Sequence, residues 1–522
     1  MPIIETSSLS PNNLLPLSDQ HQIYCGLDNC VMTEVREEQE KEPQRPRAQT
    51  IYNFERALQA PYLEIMLRGF AVDQTARSEA VSSLNSRIAQ LQQTLQTFSL
   101  AISDSPTNPG SHVQVKQLFY EALRLPEIWL SQKGERKLSS NRETLEKLHE
   151  RYLYARPFVN CILGIRDLTK QLQFFETEID SDGRFRTSYN IAGTETGRPS
   201  SSKNAFGTGG NAQNIAPALR YIFTSDPGFK LCVIDYEQVE ARDVGFFEGC
   251  LFNDWKFLDA CESGDLHTTN CKLIWPELPW TLSPIDNRRL ADSIFYRDFT
   301  YRDMSKRGGH LTNYYGTAYT AARHLKVPQS VTEEFQARYC KGGFDSKGQE
   351  IIPAYPAHPQ YWQWCSQQLQ TEHCLTTPFG RTRHFFGRPE DDTTLREAIA
   401  FLPQSTTADR TNLGLWRVWK YLPQVQLLAQ TYDSITFQYP ESADETEIIE
   451  TALDLLKVEL RSPSDRSYIV PGEAKVGWNW GNLVTKEDQE KALKAGKKVP
   501  RLNPGGLTKW NKNKKDERSR KE

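Results

Sequence analysis

Several features that would restrict the class of protein are missing from the sequence. No stretch of about 18 uncharged apolar residues is present, and Met1–Glu5 lack the basic-then-apolar layout of a signal peptide. The ten cysteines include no Cys-x-x-Cys pair, so neither a zinc site nor a disulfide framework is indicated. We therefore expect a soluble intracellular protein with reduced thiols and no membrane partner.

An excess of charge of either sign is also missing. The 522 residues include 63 Lys and Arg against 66 Asp and Glu, and 38% of the residues are hydrophobic. This balance excludes a fully disordered chain and a uniformly basic surface, so any site for a polyanion has to be local. At roughly 150 residues per domain, the length predicts three or four domains or subdomains.

The chain divides into segments of different composition. Residues 1–47 are polar and end in a charged, proline-containing run, which predicts a linker and a domain boundary near Gln49. From 54 to about 170, apolar residues recur at three- and four-residue steps, which predicts mainly helical structure with two long helices. Residues 486–522 hold 13 Lys or Arg against 6 Asp or Glu, which predicts a mobile basic tail.

Two acidic residues stand at the ends of predicted strands. Phe229–Tyr236 is a short apolar run that presents Asp235 at its end, and residues 426–440 alternate apolar and polar side chains as a hairpin with Asp433 near its tip. Two divalent cations about 3.5–4 Å apart need such rigid carboxylate ligands. The alternative is that each aspartate only caps a turn, which is common at strand ends.

A second candidate site lies in residues 301–316. Residues spaced by four share one ridge of a helix, and here two cations precede two rings, so the ridge could bind a triphosphate and its base. The alternative is a solvated basic face, and Gly308-Gly309 argues against a stable isolated helix, because each glycine costs about 1 kcal/mol relative to alanine. The members of this cationic ridge are Arg302, Lys306, His310 and Tyr314.

Further short motifs follow one another along most of the chain. In order, they are T-E-T-G-R-P-S-S-S (194–202), N-A-Q-N-I (211–215), V-I-D-Y-E-Q-V-E-A-R (233–242), D-L-H (265–267), R-x-x-x-K-x-x-x-x-x-x-x-Y (302–314), F-G-R-T-R (379–383), Q-S-T-T-A-D (404–409), Y-D-S (432–434) and G-W-N-W (477–480). Together they resemble the motifs of the family A DNA polymerases, the polymerase I-like enzymes, over roughly residues 50–482.

The resemblance implies an α+β fold of right-hand architecture, with a palm built on an antiparallel sheet and with helical fingers and thumb. It also implies a DNA-templated DNA polymerase that extends a primer 3′-hydroxyl with dNTPs by two-metal-ion nucleotidyl transfer. The implied bounds are 1–47 for a truncated exonuclease-domain remnant and linker, 48–170 for the thumb, 171–248 and 386–485 for the two parts of the palm, 249–385 for the fingers and 486–522 for a disordered basic tail.

A role for each matched residue follows from the resemblance. Two Mg²⁺ ions would be held by Asp235, Asp433 and the backbone carbonyl of Tyr236, and the catalytic residues would be Asp235, Asp433 and Lys306. The dNTP would be bound by Arg302, Lys306, His267, His310, Tyr314, Gln238 and Glu240. Primer-template DNA would be bound, without reading of its sequence, by Arg198, Asn211, Gln213, Asn214, Arg220, Arg242, Gln404, Ser111 and Gln114.

Within these sets, some residues carry a more specific expectation. Arg302, Lys306 and His267 would neutralise the triphosphate, and Glu240 would fill the space that a ribonucleotide 2′-hydroxyl needs. Ser434 stands where the family commonly has a glutamate, so a negative charge is lost beside the metal site. Glu237 replaces the usual serine, and we expect it to restore part of that charge.

The N-terminal Tyr24 and Asp28 resemble the last motif, Tyr-x-x-x-Asp, of the family's 3′–5′ proofreading domain, whose other carboxylates are missing upstream. We therefore expect no proofreading by this chain, with the exonuclease either a separate polypeptide or lost by truncation of a longer product. The alternative is a chance match in a disordered leader.

The segment K-R-G-G-H-L-T-N-Y (306–314) resembles a phage-type variant of the fingers motif. It indicates a bacteriophage replication enzyme that works in the cytoplasm of a bacterial host. Two other functions stay open. A single-subunit RNA polymerase is disfavoured by Glu240, and a non-catalytic DNA-binding subunit is disfavoured by the matched aspartates and cations.

Overall fold

The computed structural model describes residues 17–39, 41, 45–132, 135–297, 299–345, 347–494 and 499–512. Within these residues, no helix combines the length and the apolar character needed to cross a membrane. All ten cysteines are free thiols. By Cα packing the chain divides into two units, which are Met1–Leu58 with Asp265–Thr406 and Gln59–Gly264 with Thr407–Glu522.

Most of the described residues in regular structure are helical. The α-helices are α1 (Leu17–Gln39), α2 (Arg45–Arg68), α3 (Gln74–Ser103), α4 (His112–Lys116), α5 (Arg142–Arg151), α6 (Arg156–Phe175), α7 (Val239–Phe252), α8 (Lys256–Glu262), α9 (Leu266–Ile274), α10 (Pro284–Ala291), α11 (Tyr301–Asn313), α12 (Ala318–Leu325), α13 (Gln329–Gln336), α14 (Ala357–Thr371), α15 (Asp392–Tyr421), α16 (Glu445–Leu456) and α17 (Lys486–Lys494). The 3₁₀ turns are Leu153–Ala155, Ala212–Asn214 and Pro217–Ile222, and the π-helical turns are Gln117–Ala122 and Ala337–Lys341.

Strands are short outside one central sheet. They are β1 (Phe70–Val72), β2 (Trp129–Gln132), β3 (Glu135–Leu138), β4 (Arg184–Phe185), β5 (Ser188–Asn190), β6 (Ser200–Ser202), β7 (Phe223–Thr224), β8 (Phe229–Tyr236), β9 (Ile294–Tyr296), β10 (Phe299–Thr300), β11 (Gly343–Phe344), β12 (Glu350–Ile351), β13 (Cys374–Thr376), β14 (Thr382–His384), β15 (Gln426–Thr431), β16 (Ser434–Pro440), β17 (Glu459–Arg461), β18 (Ser467–Ile469), β19 (Gly472–Gly477) and β20 (Thr508–Lys509). The mixture of helices with antiparallel sheet confirms the predicted α+β class.

The central sheet of the second unit has five strands in the order β15-β16-β8-β19-β20, and every neighbouring pair is antiparallel. Its middle strands carry fully buried residues such as Ile234, Ile435 and Phe437, which explains why they read as apolar runs in the sequence. The predicted strand that carries Asp235 and the predicted hairpin around Asp433 are both confirmed.

The helical part of the second unit also follows its sequence pattern. The two long helices expected between residues 54 and 170 are α2 and α3, and α3 packs against α6 around a core that includes Phe70 and Trp480. Because α2 begins at Arg45, the boundary expected near Gln49 falls inside a helix. The domain bounds themselves stay predictions.

The C-terminal segment departs from its prediction. Lys475 pairs with Lys509 in the β19–β20 ladder, the backbone N–H of Trp510 donates to Ala474 at 2.8 Å, and Leu507 is buried. The expectation of a mobile tail from Lys486 is therefore wrong for the described residues up to 512. Composition misses this strand because strand pairing uses backbone groups, which charged side chains do not prevent.

A buried ion pair joins α7 to α15 inside the second unit. Arg410 donates to Asp243 at 2.9 Å, and both side chains are wholly inaccessible to solvent. Thr407 and Tyr468 each donate a further hydrogen bond to Asp243 at 2.9 Å. The carboxylate thus depends on three donors, because an unpaired charge at this depth would be strongly unfavourable.

We expect Arg410→Met to lower the free energy of unfolding by about 3–5 kcal/mol, because it leaves the Asp243 carboxylate buried without its cation. Urea denaturation followed by circular dichroism measures the change. The matched control is Arg461→Met, which removes an exposed arginine paired with Glu459 and should change stability far less. Equal losses in the two variants would contradict the assignment.

Candidate active site

Asp235 and Asp433 lie beside each other at one end of the central sheet. Asp235 is the next-to-last residue of β8, and its cross-strand partners are Ser434 on β16 and Glu473 on β19. The backbone N–H of Tyr236 donates to the carbonyl oxygen of Asp433 at 3.3 Å, which fixes the hairpin tip against the end of β8. The structure therefore brings together the two aspartates that the sequence singled out.

The turn that carries Asp433 is tightly built. Tyr432 adopts a left-handed backbone with φ of 55°, and with Asp433 it forms the two-residue connection between β15 and β16. A left-handed conformation costs a non-glycine residue roughly 1–2 kcal/mol, so the surrounding contacts must hold it in place. One of them is a hydrogen bond of 2.9 Å from the Ser434 hydroxyl to the carbonyl of Thr431.

The electrostatics of the two carboxylates reflect their closeness. Burial, followed by the charge of Asp433, raises the pKa of Asp235 to about 7. Burial also raises the pKa of Asp433, and the charge of Glu240 adds to that effect. Among the described residues, no Lys or Arg nitrogen lies within ion-pair distance of either carboxylate. Two half-buried carboxylates that form no ion pair fit the chemistry of a hard divalent cation.

Residues of the 194–215 segment contact this same hairpin. The Gln213 side chain donates to Gln430 on β15 at 3.1 Å and to the carbonyl of Pro199 at 3.0 Å. The Tyr432 hydroxyl donates to the Asn214 side chain at 2.7 Å. Predicted DNA-binding amides thus help to hold the Asp433 turn, and the amide of Gln213 is buried and already bonded within the protein.

Two arginines predicted to bind DNA also lie near the aspartates. Arg198 forms an ion pair with Glu240, and its guanidinium lies 6.0 Å from the centre of the Tyr432 ring. The Arg220 guanidinium lies 4.5 Å over the Trp480 ring, and burial lowers its pKa while the charge of Asp235 opposes that change. The structure therefore collects seven predicted site residues around one sheet end, namely Asp235, Asp433, Gln213, Asn214, Arg198, Arg220 and Glu240.

The remaining predicted DNA-binding residues have local structural roles or are buried. Ser111 caps α4 by accepting the Gln114 backbone N–H at 3.3 Å. Asn211 accepts the backbone N–H of Asn214 at 3.1 Å. Arg242 on α7 is 6% exposed, so a contact with DNA would require its neighbours to move.

Two further predicted residues lie at or within helices. Gln238 precedes α7 with a left-handed backbone, and Gln404 is half-buried on α15 in the first unit. Their roles toward a ligand stay predictions.

The cationic ridge is present on α11 in the first unit. Lys306 and His310 are exposed, Arg302 is half-buried, and Tyr314 follows the helix end with its ring 5.3 Å from that of His310. The ridge geometry predicted from the four-residue spacing is thus confirmed, although its ligand stays a prediction.

The Gly308-Gly309 pair is explained by packing. A Cβ on Gly308 would lie 2.9 Å from Phe335, and one on Gly309 would lie 3.3 Å from the Tyr339 hydroxyl. The side chain of Thr300 caps the start of the helix. Close approach of the Phe335 ring therefore favours glycine at position 308, the Tyr339 ring leaves little space at position 309, and tertiary packing outweighs the low helix propensity of the pair.

The charge state of His267 differs from the expected one. Burial, followed by the charges of Arg302 and Lys306, lowers its pKa to about 4, so the ring is neutral at pH 7. In the unbound chain His267 therefore contributes no positive charge, and its role toward a triphosphate stays a prediction. Arg302 is in turn paired with Asp265 at 3.2 Å, so part of its charge is already compensated.

Sequence reasoning missed several residues of these two sites. Glu473 and Gln430 come close to Asp235 or Asp433 only through strand pairing and side-chain packing, for which the sequence carries no local signal. Asp265 belongs to the D-L-H motif, from which no role for it follows. Its acidic side chain just before a helix was the signal, since such residues cap helices and can pair with a nearby arginine.

Comparison with known proteins identifies the relatives of this chain. Residues 77–482 match the model of a family described as DNA polymerase family A. The chain is 25% identical over 388 residues to the thermostable DNA polymerase I of Thermus caldophilus, an alignment that covers 70% of this chain and 41% of that protein. It is 24% identical over 447 residues to the DNA polymerase I of Treponema pallidum (strain Nichols), an alignment that covers 82% of this chain and 40% of that protein. The chain thus spans about 40% of the length of these curated relatives.

A solved structure shows the same fold. It is the POL domain of Pol1 from M. smegmatis in complex with DNA primer-template and dNTP. The TM-score is 0.62 at 20% sequence identity, and the superposition covers 81% of this chain and 69% of that one.

The raised pKa of Asp235 predicts a pH-dependent stability of the metal-free chain. An aspartate titrates near 3.9 when unfolded and here near 7 when folded, so the folded state loses stability as pH rises from about 4 to 7. Asp433→Asn removes the neighbouring charge. In EDTA it should therefore be roughly 1–3 kcal/mol more stable than the parent at pH 8 and nearly equal at pH 5.

Urea denaturation at the two pH values measures this difference. Asp454→Asn, at an exposed position on α16, serves as the control and should show no such pH dependence. A stability difference that is the same at pH 5 and pH 8 would contradict the interpretation.

Proposed function

This chain belongs to DNA polymerase family A, and from that membership we propose that it extends a primer 3′-hydroxyl with dNTPs on a DNA template. The observation that carries the proposal is the pair of half-buried aspartates, Asp235 and Asp433, at adjoining strand ends, neither of which forms an ion pair among the described residues. Family A polymerases use divalent metal ions. A non-catalytic subunit would have no need to keep two like charges in this unfavourable position.

The residues that would hold two Mg²⁺ ions are Asp235, Asp433 and the backbone carbonyl of Tyr236. When bound, such ions activate the attacking hydroxyl and neutralise charge on the phosphate oxygens. The two carboxylates hold the ligand oxygens in fixed positions, because one sits on the central strand and the other on a turn bonded to that strand. In the reaction, the primer 3′-oxygen forms a bond to the α-phosphorus as the bond to pyrophosphate breaks.

The cationic ridge of α11 would bind the triphosphate. Arg302 and Lys306 would neutralise the charge that grows toward the leaving pyrophosphate. Neutral His267 would take part through a hydrogen bond, and its buried Nδ1 has no partner among the residues that the structure describes. The rings of His310 and Tyr314 would contact the base and sugar.

The 194–215 segment would bind the primer-template. Its amides and arginines are suited to phosphates and to the minor-groove acceptors that all base pairs share, so binding would not depend on sequence. Gln213 and Asn214 also form hydrogen bonds with residues of the Asp433 hairpin. DNA bound by these two residues would therefore contact the elements that position the Asp433 carboxylate.

We further propose the narrower roles that the sequence motifs indicate. These are replication of a bacteriophage genome in a bacterial cytoplasm and the absence of proofreading by this chain, with a separate 3′–5′ exonuclease as a partner. Tyr24 and Asp28 lie one helical turn apart on the exposed α1, outside the part of the chain that matches the family model. A mismatched primer incubated with the pure chain should therefore keep its 3′ end.

Primer extension tests the main proposal. The parent chain should extend a primed template with dNTPs and Mg²⁺ and should use NTPs poorly. Asp433→Asn should lower the rate by roughly 1,000-fold, equivalent to about 4 kcal/mol of transition-state stabilisation. Asp454→Asn is the control of equal charge change and should extend normally. No extension by the parent would favour a non-catalytic subunit, and a preference for NTPs would favour an RNA polymerase.

Glu240→Ala tests the basis of sugar selection. Removal of this side chain opens the space that a 2′-hydroxyl would need and releases Arg198 from its ion pair. We expect the ratio of kcat/KM for a dNTP to that for the matching NTP to fall by roughly 10–100-fold, chiefly through faster NTP use. Glu447→Ala, on the exposed side of α16, should leave the ratio unchanged. An unchanged ratio in Glu240→Ala would refute this role.

A further inference from the structure

The last residue of α11 is a buried asparagine. Asn313 is only 5% exposed, and its side-chain oxygen accepts hydrogen bonds from the Tyr339 hydroxyl at 2.8 Å and from Nε2 of His358 at 3.0 Å. An amide oxygen can only accept, so the His358 ring carries a proton on Nε2. Because a buried amide is unfavourable unless it is hydrogen-bonded, these two buried donors fix the Asn313 side chain.

The backbone around and after Asn313 is anchored as well. The Trp362 indole N–H donates to the carbonyl oxygen of Asn313 at 3.4 Å, and the Trp362 ring lies 5.2 Å from that of Tyr315. The Gln336 side chain donates to the carbonyl oxygen of Gly316 at 2.7 Å. Tyr315 adopts a left-handed backbone with φ of 60°, which is unfavourable for a residue other than glycine, so these contacts hold it in place.

Tyr314 lies between these anchors. It follows the end of α11, it is half-buried, and its ring lies 5.3 Å from that of His310 on the cationic ridge. The two donors to Asn313 come from separate elements of the first unit, Tyr339 from the second π-helical turn and His358 from α14. These elements therefore determine where the last turn of α11 and the Tyr314 ring lie.

We propose that Asn313, held by Tyr339 and His358, is a positioning residue for nucleotide selection, because it fixes the end of α11 and with it the Tyr314 ring. The inference rests on the proposed polymerase function, in which Tyr314 contacts the base and sugar. A ring in one fixed position accepts a matched base pair and collides with a mismatched pair of different shape. A ring that can move relieves this collision, so that mismatched nucleotides are used more readily.

Tyr339→Phe tests the proposal, because it removes one donor to Asn313 and keeps the ring. The ratio of kcat/KM for the matched dNTP to that for a mismatched dNTP should fall about 5–10-fold, mainly through faster use of the mismatched dNTP. Tyr355→Phe is the matched control. Tyr355 is as buried as Tyr339, packs against it and donates to Asn270 on α9 at 2.5 Å, so its loss should change the ratio less than twofold.

Double-mutant cycles show whether the effect passes through Asn313 and Tyr314. Tyr339→Phe should add nothing to Asn313→Ala, because the hydrogen bond that it removes is already lost. It should also leave the ratio unchanged in a Tyr314→Ala background, where the positioned ring is missing. A Tyr339→Phe effect that persists in either background would overturn the role assigned to Asn313.

The parent chain separates this inference from the function on which it rests. If the parent extends a primer with the matched dNTP while Tyr339→Phe and Tyr355→Phe give the same ratio, the proposed function stands and the role of Asn313 falls. If the parent does not extend a primer, the function falls and the inference falls with it. Urea denaturation should show equal stability losses in the two Phe variants, so that a difference in the ratio does not come from general destabilisation.

Discussion

The pairing of β8 with its two neighbours is the constraint on which the rest of the site depends. A slip of one residue in either pairing would turn Asp235 to the opposite face of the sheet and separate it from Asp433. Buried Ile234 and Ile435 hold the register, and the backbone bond from Tyr236 to Asp433 holds the turn. Partial burial of two adjacent carboxylates is unfavourable, so the packing of the sheet supplies the free energy that keeps them together.

Local patterns in the sequence were enough to predict the secondary-structure elements of the site and its main candidate residues. The strand at Asp235 and the hairpin at Asp433 follow from the pattern of apolar residues, and the helix at Arg302 follows from the four-residue spacing of its cations and rings. That the two aspartates lie close together in space is implied only by the family resemblance. The sequence pattern alone left a simple turn-capping role open.

Properties that depend on distant partners could not be predicted in this way. The neutrality of His267 comes from burial, which its own motif does not encode. Glu473 stands beside Asp235 only because of a register between strands more than 200 residues apart. The Gly308-Gly309 pair looked unfavourable for a helix because the rings of Phe335 and Tyr339 that cover it lie on another part of the chain.

The two-residue strand β20 has a consequence for how molecules of this protein meet each other. It pairs with Lys475 and Val476, and with the bond from Trp510 to Ala474 it covers much of the outer side of the six-residue β19. Without these residues, β19 would present unpaired N–H and C=O groups to which a strand of a second molecule can add. In a chain shortened before Leu507, strands of different copies would therefore be able to pair along β19. We expect lower solubility as the first consequence of that pairing.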